Sequence, residues 1–204
     1  MNIFILDRNP RIAAHMHCDE HLNKMILEGA QMLSTVANGL LHKESSMLYS
    51  STYENHPCVW WLKESGANCN WLAILVEELE KERQYRFGER EPHKSLPKAW
   101  YALEVIAALA PNGSLTPFVP VINPLSQKNT PEGSNIFTSV VLSYQRYYAW
   151  KNNNQFAMHW TKREVPLWFE PMVKLTKEAR SEATKTPAPV SVIIDPATIP
   201  HCYD

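Results

Sequence analysis

Four stretches of this 204-residue chain collect side chains that move protons or hold anions. The first runs from His17 through Asp19 and His21 to Lys24, Glu28 and Gln31. His21, Lys24, Glu28 and Gln31 are spaced i, i+3, i+7 and i+10, so they form one stripe on one helix. In that stripe Asp19 or His21 suits a general acid or base, and Lys24 suits a phosphate clamp or a nucleophile. An ordinary structural reading stands beside it. Lys24 and Glu28 also make an i,i+4 pair worth ~0.2–0.5 kcal/mol, and Asp19 also caps a helix. His17 and His21 are i,i+4 as well, the spacing at which two imidazoles share a metal ion, with Asp19, His56 or His93 as a third ligand. No H-E-x-x-H accompanies them, nor the H-x-E and P-C-x-x-C of zinc deaminases, so no metal site is expected.

The second stretch is Asn55-His56-Pro57-Cys58, a helix start whose free N–H groups and dipole attract anions. The third is Tyr85-Arg86-Phe87-Gly88 followed by His93-Lys94-Ser95, two basic groups and an imidazole around a loop. The fourth interleaves basic and aromatic residues: Tyr144, Arg146, Tyr147, Tyr148, Trp150, Lys151, then His159, Trp160, Lys162 and Arg163. Arginine and lysine bind phosphate oxygens, and rings stack on bases. The expected substrate-binding residues are therefore His56, Arg86, His93, Lys94, Arg146, Tyr147, Lys151, Trp160 and Arg163. Each stretch also has a plain reading as caps, core rings and snorkelling cations.

Glycine usage narrows how an anion would be held. The six glycines are Gly29, Gly39, Gly66, Gly88, Gly113 and Gly133, and none is closer than ten residues to the next. That spacing excludes G-x-G-x-x-G and the G-x-x-x-x-G-K-[ST] loop. Phosphate recognition then falls to side chains and helix ends. Lys and Arg total 20 against 21 Asp and Glu, a net charge of −1, which argues against a broad nucleic-acid-coating surface. The longest apolar runs, Trp71 to Val76 and Val105 to Ala110, have six residues, far below the ~20 that span a bilayer. No secretory signal and no CxxC spacing is read, so a cytoplasmic chain with free thiols is expected. No cofactor is called for.

The elements that must position these groups are mainly helical. Helices are expected from Pro10 to His17, Asp19 to Ala37 (with Asn38-Gly39 as its C-cap pair), Pro57 to Glu64 and Asn68 to Tyr85. Three more are expected at Leu96 to Ala110, Asn135 to Lys151 and Pro171 to Ala183, with a turn at residues 152–154. Glu77, Glu80, Lys81 and Glu82 read as the solvated face of the fourth helix. Asn2 to Leu6 and Val190 to Ile194 read as short strands. Residues 111–133 hold five of the 15 prolines and read as an extended excursion. The expected fold is a single-domain helical bundle over 1–183 with a Pro-rich tail over 184–204 and one or two short terminal strands.

The opening, Met1 to Thr35, resembles that of a widespread family from tailed-phage genomes. Its members begin MNIFVLD-x-D-P and continue with D-K-H-x-x-K-M-x-x-E, H-P-C, Y-R-F-G…H-K-S and Y-R-x-Y-Y…W-x-x-R-x-x-P-x-W. This chain carries Asp19-Glu20-His21…Lys24-Met25…Glu28, His56-Pro57-Cys58, Tyr85 to Gly88 with His93 to Ser95, Tyr144 to Tyr148, and Trp160 to Trp168. It departs at Glu20 and Asn9, where the family often has Lys and Asp. The resemblance implies a phage setting and a host-cytoplasmic location, and by itself assigns no reaction. By analogy the setting favours an enzyme on a nucleic acid or nucleotide, a transferase or glycosylase that modifies a base or its glycosidic bond. Asp19, His21 and Lys24 are then the expected catalytic residues, and DNA or a nucleotide the partner. Two other readings remain open: a non-catalytic nucleotide-sequestering or anti-defence protein, and a metal-dependent hydrolase.

Overall fold

A computed structural model of the chain describes residues 2–120 and 136–185. Seven helices and no strand occur among the described residues: α1 (Pro10–Met16), α2 (Asp19–Leu41), α3 (Pro57–Glu64), α4 (Gly66–Phe87), α5 (Leu96–Leu109), α6 (Ile136–Asn154) and α7 (Phe169–Lys185). The mainly α bundle read from the sequence is the fold. None of these helices is long and apolar enough to cross a membrane.

The local signals are those of helix termini. The Asn9 side chain accepts from the Arg11 N–H at 3.0 Å and Pro10 opens α1. Ser65 ends α3 and, in the same residue, caps α4 by accepting from the Ala67 N–H at 3.0 Å. That shared cap lets α4 begin at Gly66, two residues before the expected start. Gly88, at φ 84°, closes α4 in the left-handed region that glycine enters freely.

Three further helix ends differ from the sequence reading for a reason the structure shows. α2 runs through Asn38-Gly39 to Leu41 and ends at His42, which sits at φ 53°. The Asn38 amide is buried and spent on the following loop. Its Nδ2 donates to the Glu44 carboxylate at 2.9 Å and to the Tyr49 carbonyl at 3.0 Å, and its Oδ1 accepts from the Ser45 N–H at 3.1 Å. The asparagine anchors a loop where a C-cap was expected. α6 takes in the expected turn at 152–154. α7 starts before Pro171, which falls in its first turn, where a missing N–H does no harm.

The N-terminal strand is replaced by a buried, unpaired segment. Ile3, Phe4, Ile5 and Leu6 are all buried, but Phe4 lies at φ 50° and the Leu6 N–H bonds back to the Phe4 carbonyl at 2.8 Å. A residue in the left-handed region breaks the period-2 alternation a strand needs. The segment is a wedge: Phe4 packs on His21 of α2 and on Tyr144, Tyr147 and Tyr148 of α6, and the Leu6 carbonyl accepts from Gln145 at 3.1 Å. The expected strand 190–194, the tail from 186 and the 121–133 part of the proline-rich excursion lie outside the described residues. Residues 111–120 have no helix or strand, and they cross α3 and α4. There Phe118 sits between Trp61 and Trp71 at 5.4 and 5.1 Å, and the Asn68 amide holds Thr116.

α2 and α4 form the central pair, α5 packs on both, α1 and α3 pack on α4, and α6 pairs with α7. Because neighbours surround α4, its expected solvated face is partly interior: Glu80 and Glu82 are buried, as is Glu78 beside them. Gly29 sets the approach of α2 to α4, since a Cβ there would overlap a methyl of Val76. Val76 is β-branched and stiff within its helix, so it cannot swing clear. Gly39 has no atom within 4 Å of its Cβ position. Gly29→Ala should therefore lower stability by about 1–2 kcal/mol, overlap outweighing the gain in helix propensity. Gly39→Ala should raise it by about 0.5–1 kcal/mol. Urea denaturation of the two variants checks the opposite signs.

Candidate functional site

The wedge at Phe4 builds a ladder of near-parallel rings. His21 stacks on Phe4 (centroids 4.8 Å, 24°), Phe4 on Tyr147 (5.9 Å, 7°) and Tyr147 on Trp150 (5.8 Å, 14°). Tyr148 meets the edges of both Phe4 and His21, at 5.3 and 4.9 Å, and Phe156 closes on His21 at 5.5 Å. The ladder runs from an interior imidazole to Tyr147 and Trp150, which are half-buried.

His21 is 1% exposed, and neither of its ring nitrogens has a hydrogen-bond partner. Native interiors seldom leave a buried polar atom unpaired, and an imidazole with two such atoms calls for a functional account. Burial, then the charges of His17, Lys151 and Lys24, pushes its pKa down to about 2, so the ring is neutral at physiological pH. His17 lies one turn earlier. Its Nδ1 donates to the Ala13 carbonyl at 2.7 Å, which leaves Nε2 buried and unpaired. Burial holds its pKa at about 4, against the backbone bond that works to raise it.

Two amines flank His21. Lys151 of α6 sits over Phe4, Tyr147 and Phe156, 5.4–6.0 Å from their centroids, and donates to Gln155 at 2.6 Å. Burial and then the charge of Lys24 lower its pKa, with Glu28 opposing. Lys24 of α2 is 57% exposed at its side chain, 3.7 Å from the Glu28 carboxylate. The expected stripe therefore reaches this site through His21, Lys24 and Glu28, and α6 adds Tyr147 and Lys151.

Other expected site residues form a separate structural node. Arg86 has a side chain 0% exposed. It donates to Glu82 at 3.1 Å, to Asp19 at 3.0 Å, to the His17 carbonyl at 2.8 Å and to the His15 carbonyl at 3.0 Å. Asp19 also accepts from the Thr161 N–H at 2.9 Å and the Thr161 hydroxyl at 2.7 Å. Arg163 forms a two-point pair with Glu82. Burial works to raise the Glu82 pKa, and Arg163, Arg86 and His15 outweigh it, so the carboxylate stays ionised. Asp19, Arg86 and Arg163 thus spend their charges on one another and on backbone. Asp19 is not the cap the sequence suggests, since Cys18 holds the N-cap position without a side-chain bond, and its carboxylate is engaged by Arg86 and Thr161. Trp160 belongs to the same node: it is buried, donates to the Met16 carbonyl at 3.0 Å and packs on Phe169.

The remaining expected residues are dispersed. The His56 Nδ1 accepts from the Cys58 N–H at 3.1 Å, capping α3 with its own ring, which occupies the amide an anion would want. His93 accepts from the Ser95 N–H at 3.3 Å, and burial and the charge of Arg83 lower its pKa. Lys94 beside it is exposed. Arg146 has buried Nε and Nη1 atoms without partners, yet it sits about 140° round α6 from Lys151 by helix geometry. No third His, Cys, Asp or Glu joins His17 and His21, and no group of three metal-ligating side chains occurs among the described residues. Asp19, His56 and His93, the expected third ligands, are all engaged as above. Two clefts, of about 90 and 330 Å³, lie elsewhere. One is lined by Asn2, His56, Pro57, Cys58, Val119 and Pro120, the other chiefly by apolar residues of α2, α3 and the end of α5.

Sequence reasoning missed Phe4, Phe156 and Glu82, and placed Tyr148 in the fourth stretch without including it among the binding residues. The i,i+4 spacing of Glu82 and Arg86 was the available signal for Glu82; the three rings carried none that separates them from core. No family model, curated protein or solved structure matches this chain.

Two outcomes follow from these placements. Arg86→Met leaves Glu82 and Asp19 without their buried partner and should cost about 3–5 kcal/mol in urea denaturation. Stability should also fall with acid. Both histidines bind protons more readily unfolded, at the ordinary 6.5, than folded. Their contribution is full above pH 6.5 and is lost as pH drops, at up to about 1.4 kcal/mol per unit for each. His21→Phe should flatten the slope between pH 6.5 and 4.5; an unchanged slope would show that His21 titrates normally.

Proposed function

We propose that this protein acts on a nucleotide or nucleic-acid base, modifying the base or its glycosidic bond, with His21 as the proton-handling group. The observation that carries the reading is the buried imidazole with two free nitrogens, set between two lysines at the inner end of a ring ladder. Rings offer a base a stacking surface, and ammonium groups offer phosphate a counter-charge. The phage-family resemblance of the sequence supports the same class of substrate by analogy.

The electrostatics suggest how His21 is switched on. Lys24 and Lys151 are two of the charges that hold its pKa down. Burial is the largest cause of the low pKa, so an anion seated between them removes part of the depression, and the opening that admits the substrate reduces the burial itself. The ring then takes a proton from the substrate or lends one to a departing base. Because His21 is nearly sealed, a substrate reaches it only when a neighbour such as half-buried Phe156 moves aside.

That same burial favours a second reading, a protein that holds a nucleotide without turning it over. Nucleoside mass spectrometry separates the two. Incubation with DNA and, separately, with deoxynucleotides should produce an altered nucleoside or a free base. His21→Gln should slow its formation by about 10²–10⁴-fold. Unchanged profiles with both substrate sets contradict the enzymatic reading, and recovery of an intact nucleotide from the heat-released protein supports sequestration.

A further inference from the structure

We infer that the ligand of the His21 site is a single nucleoside monophosphate and not a nucleic-acid strand. This rests on the nucleotide reading above and narrows it. The argument is a charge ledger around the site. A protein that holds a phosphodiester backbone engages about 6–10 phosphates with basic side chains. Here the basic groups of α4 and the 158–168 segment are already neutralised or tied down. Arg86 is shared by Glu82 and Asp19, Arg163 is held by Glu82, Arg83 by Glu80, and Lys81 by Glu77 and Glu78. Lys162 donates to the Tyr85 carbonyl at 3.0 Å. The cations whose fields reach His21 are Lys151, which donates to Gln155, and Lys24, which shares its charge with Glu28 at 3.7 Å.

Two amines, one from each of two helices and with Glu28 beside one of them, suit a single phosphate group. A row of phosphates needs a row of cations, and the cations of α4 are already matched by Glu77, Glu78, Glu80 and Glu82. The rings agree with the ledger. The ladder is closed at its inner end by His21 and packed through Phe4 and Tyr147, so successive bases have no succession of open platforms. The buried, unpaired His21 gives the base edge one donor and one acceptor.

The test uses the full chain and calorimetric titration. The probes are the four deoxynucleoside 5′-monophosphates, the matching nucleosides, and a short single-stranded and a duplex oligonucleotide, each over a salt series. A monophosphate is expected to bind, with its nucleoside weaker by about tenfold or more. The slope of log Kd on log salt should be about 2 or less, against about 5 or more for a backbone binder. Lys24→Gln, at an exposed position, should raise Kd about 3–10-fold. Lys151→Met should raise it further. Tighter binding or chemical change of an oligonucleotide, with monophosphates inert, overturns this inference and leaves the proposed function standing. Failure of every probe to bind or change overturns both.

Discussion

The guanidinium of Arg86 joins three pieces of chain at one point inside the protein. From the last turn of α4 it reaches the carbonyls of His15 and His17 at the α1–α2 junction and the carboxylate of Asp19 in the first turn of α2. Glu82, one turn back on α4, completes its set of acceptors and brings in Arg163 from the far end of the sequence. A buried charge is tolerable only when its hydrogen bonds are complete, and this one's partners come from every element that meets there. The junction between α1 and α2 is therefore held at a defined angle, and that angle sets where His17 and His21 point. Asp19 passes the constraint on by accepting from Thr161, and Tyr148 does the same by accepting from the Cys18 N–H at 2.8 Å.

On that frame rests an opposite kind of polar group. All three nitrogens of Arg86 donate, in four hydrogen bonds; His21, two residues beyond Asp19 in α2, has neither nitrogen employed. The rings of Phe4, Tyr148 and Phe156 enclose it. The Phe4 backbone sits in the left-handed region, which is costly for a bulky residue, and its ring is the one that stacks on His21. Strain in the backbone, an unsatisfied imidazole and two mutually repelling lysines all occur within one cluster. Each is unfavourable to the free protein, and the proposed anionic, ring-bearing ligand would relieve the last two. The buried thiols are of another character. Burial pushes Cys18 up to about 12, which makes it packing and not chemistry.

Helix content, most boundaries and the absence of a backbone phosphate cradle were legible in the sequence because they follow from local signals: Asn9-Pro10, Pro57, Gly88 and the 3–4 spacing of apolar residues. Lys24, Glu28 and His21 were legible as a stripe for the same reason. The node was not. Asp19, Arg86 and Arg163 read as site residues because charge type alone does not distinguish a cation that awaits an anion from one already paired with Glu82, 81 residues away in sequence from Arg163. The face of α4 misled for a related reason. Glutamates on an apparently polar side become interior when neighbours pack around the helix. Phe4 looked like a strand residue, since composition cannot show that its φ is positive or that it lies between α2 and α6.

The central claim is that His21 is a neutral, unpaired imidazole waiting for an anionic ligand. Nitrogen-15 NMR of the histidine side chains, titrated with pH and then with a deoxynucleoside monophosphate, tests it most directly. The account predicts that the His21 resonances stay in the neutral range far below pH 6.5 in the free protein, while exposed His159, hydrogen-bonded to Glu20, titrates above the ordinary value. Adding the nucleotide should shift the His21 nitrogens and raise the pH at which they titrate. A His21 ring that titrates near 6.5 in the free protein, or nitrogens that do not respond to any nucleotide, would contradict it.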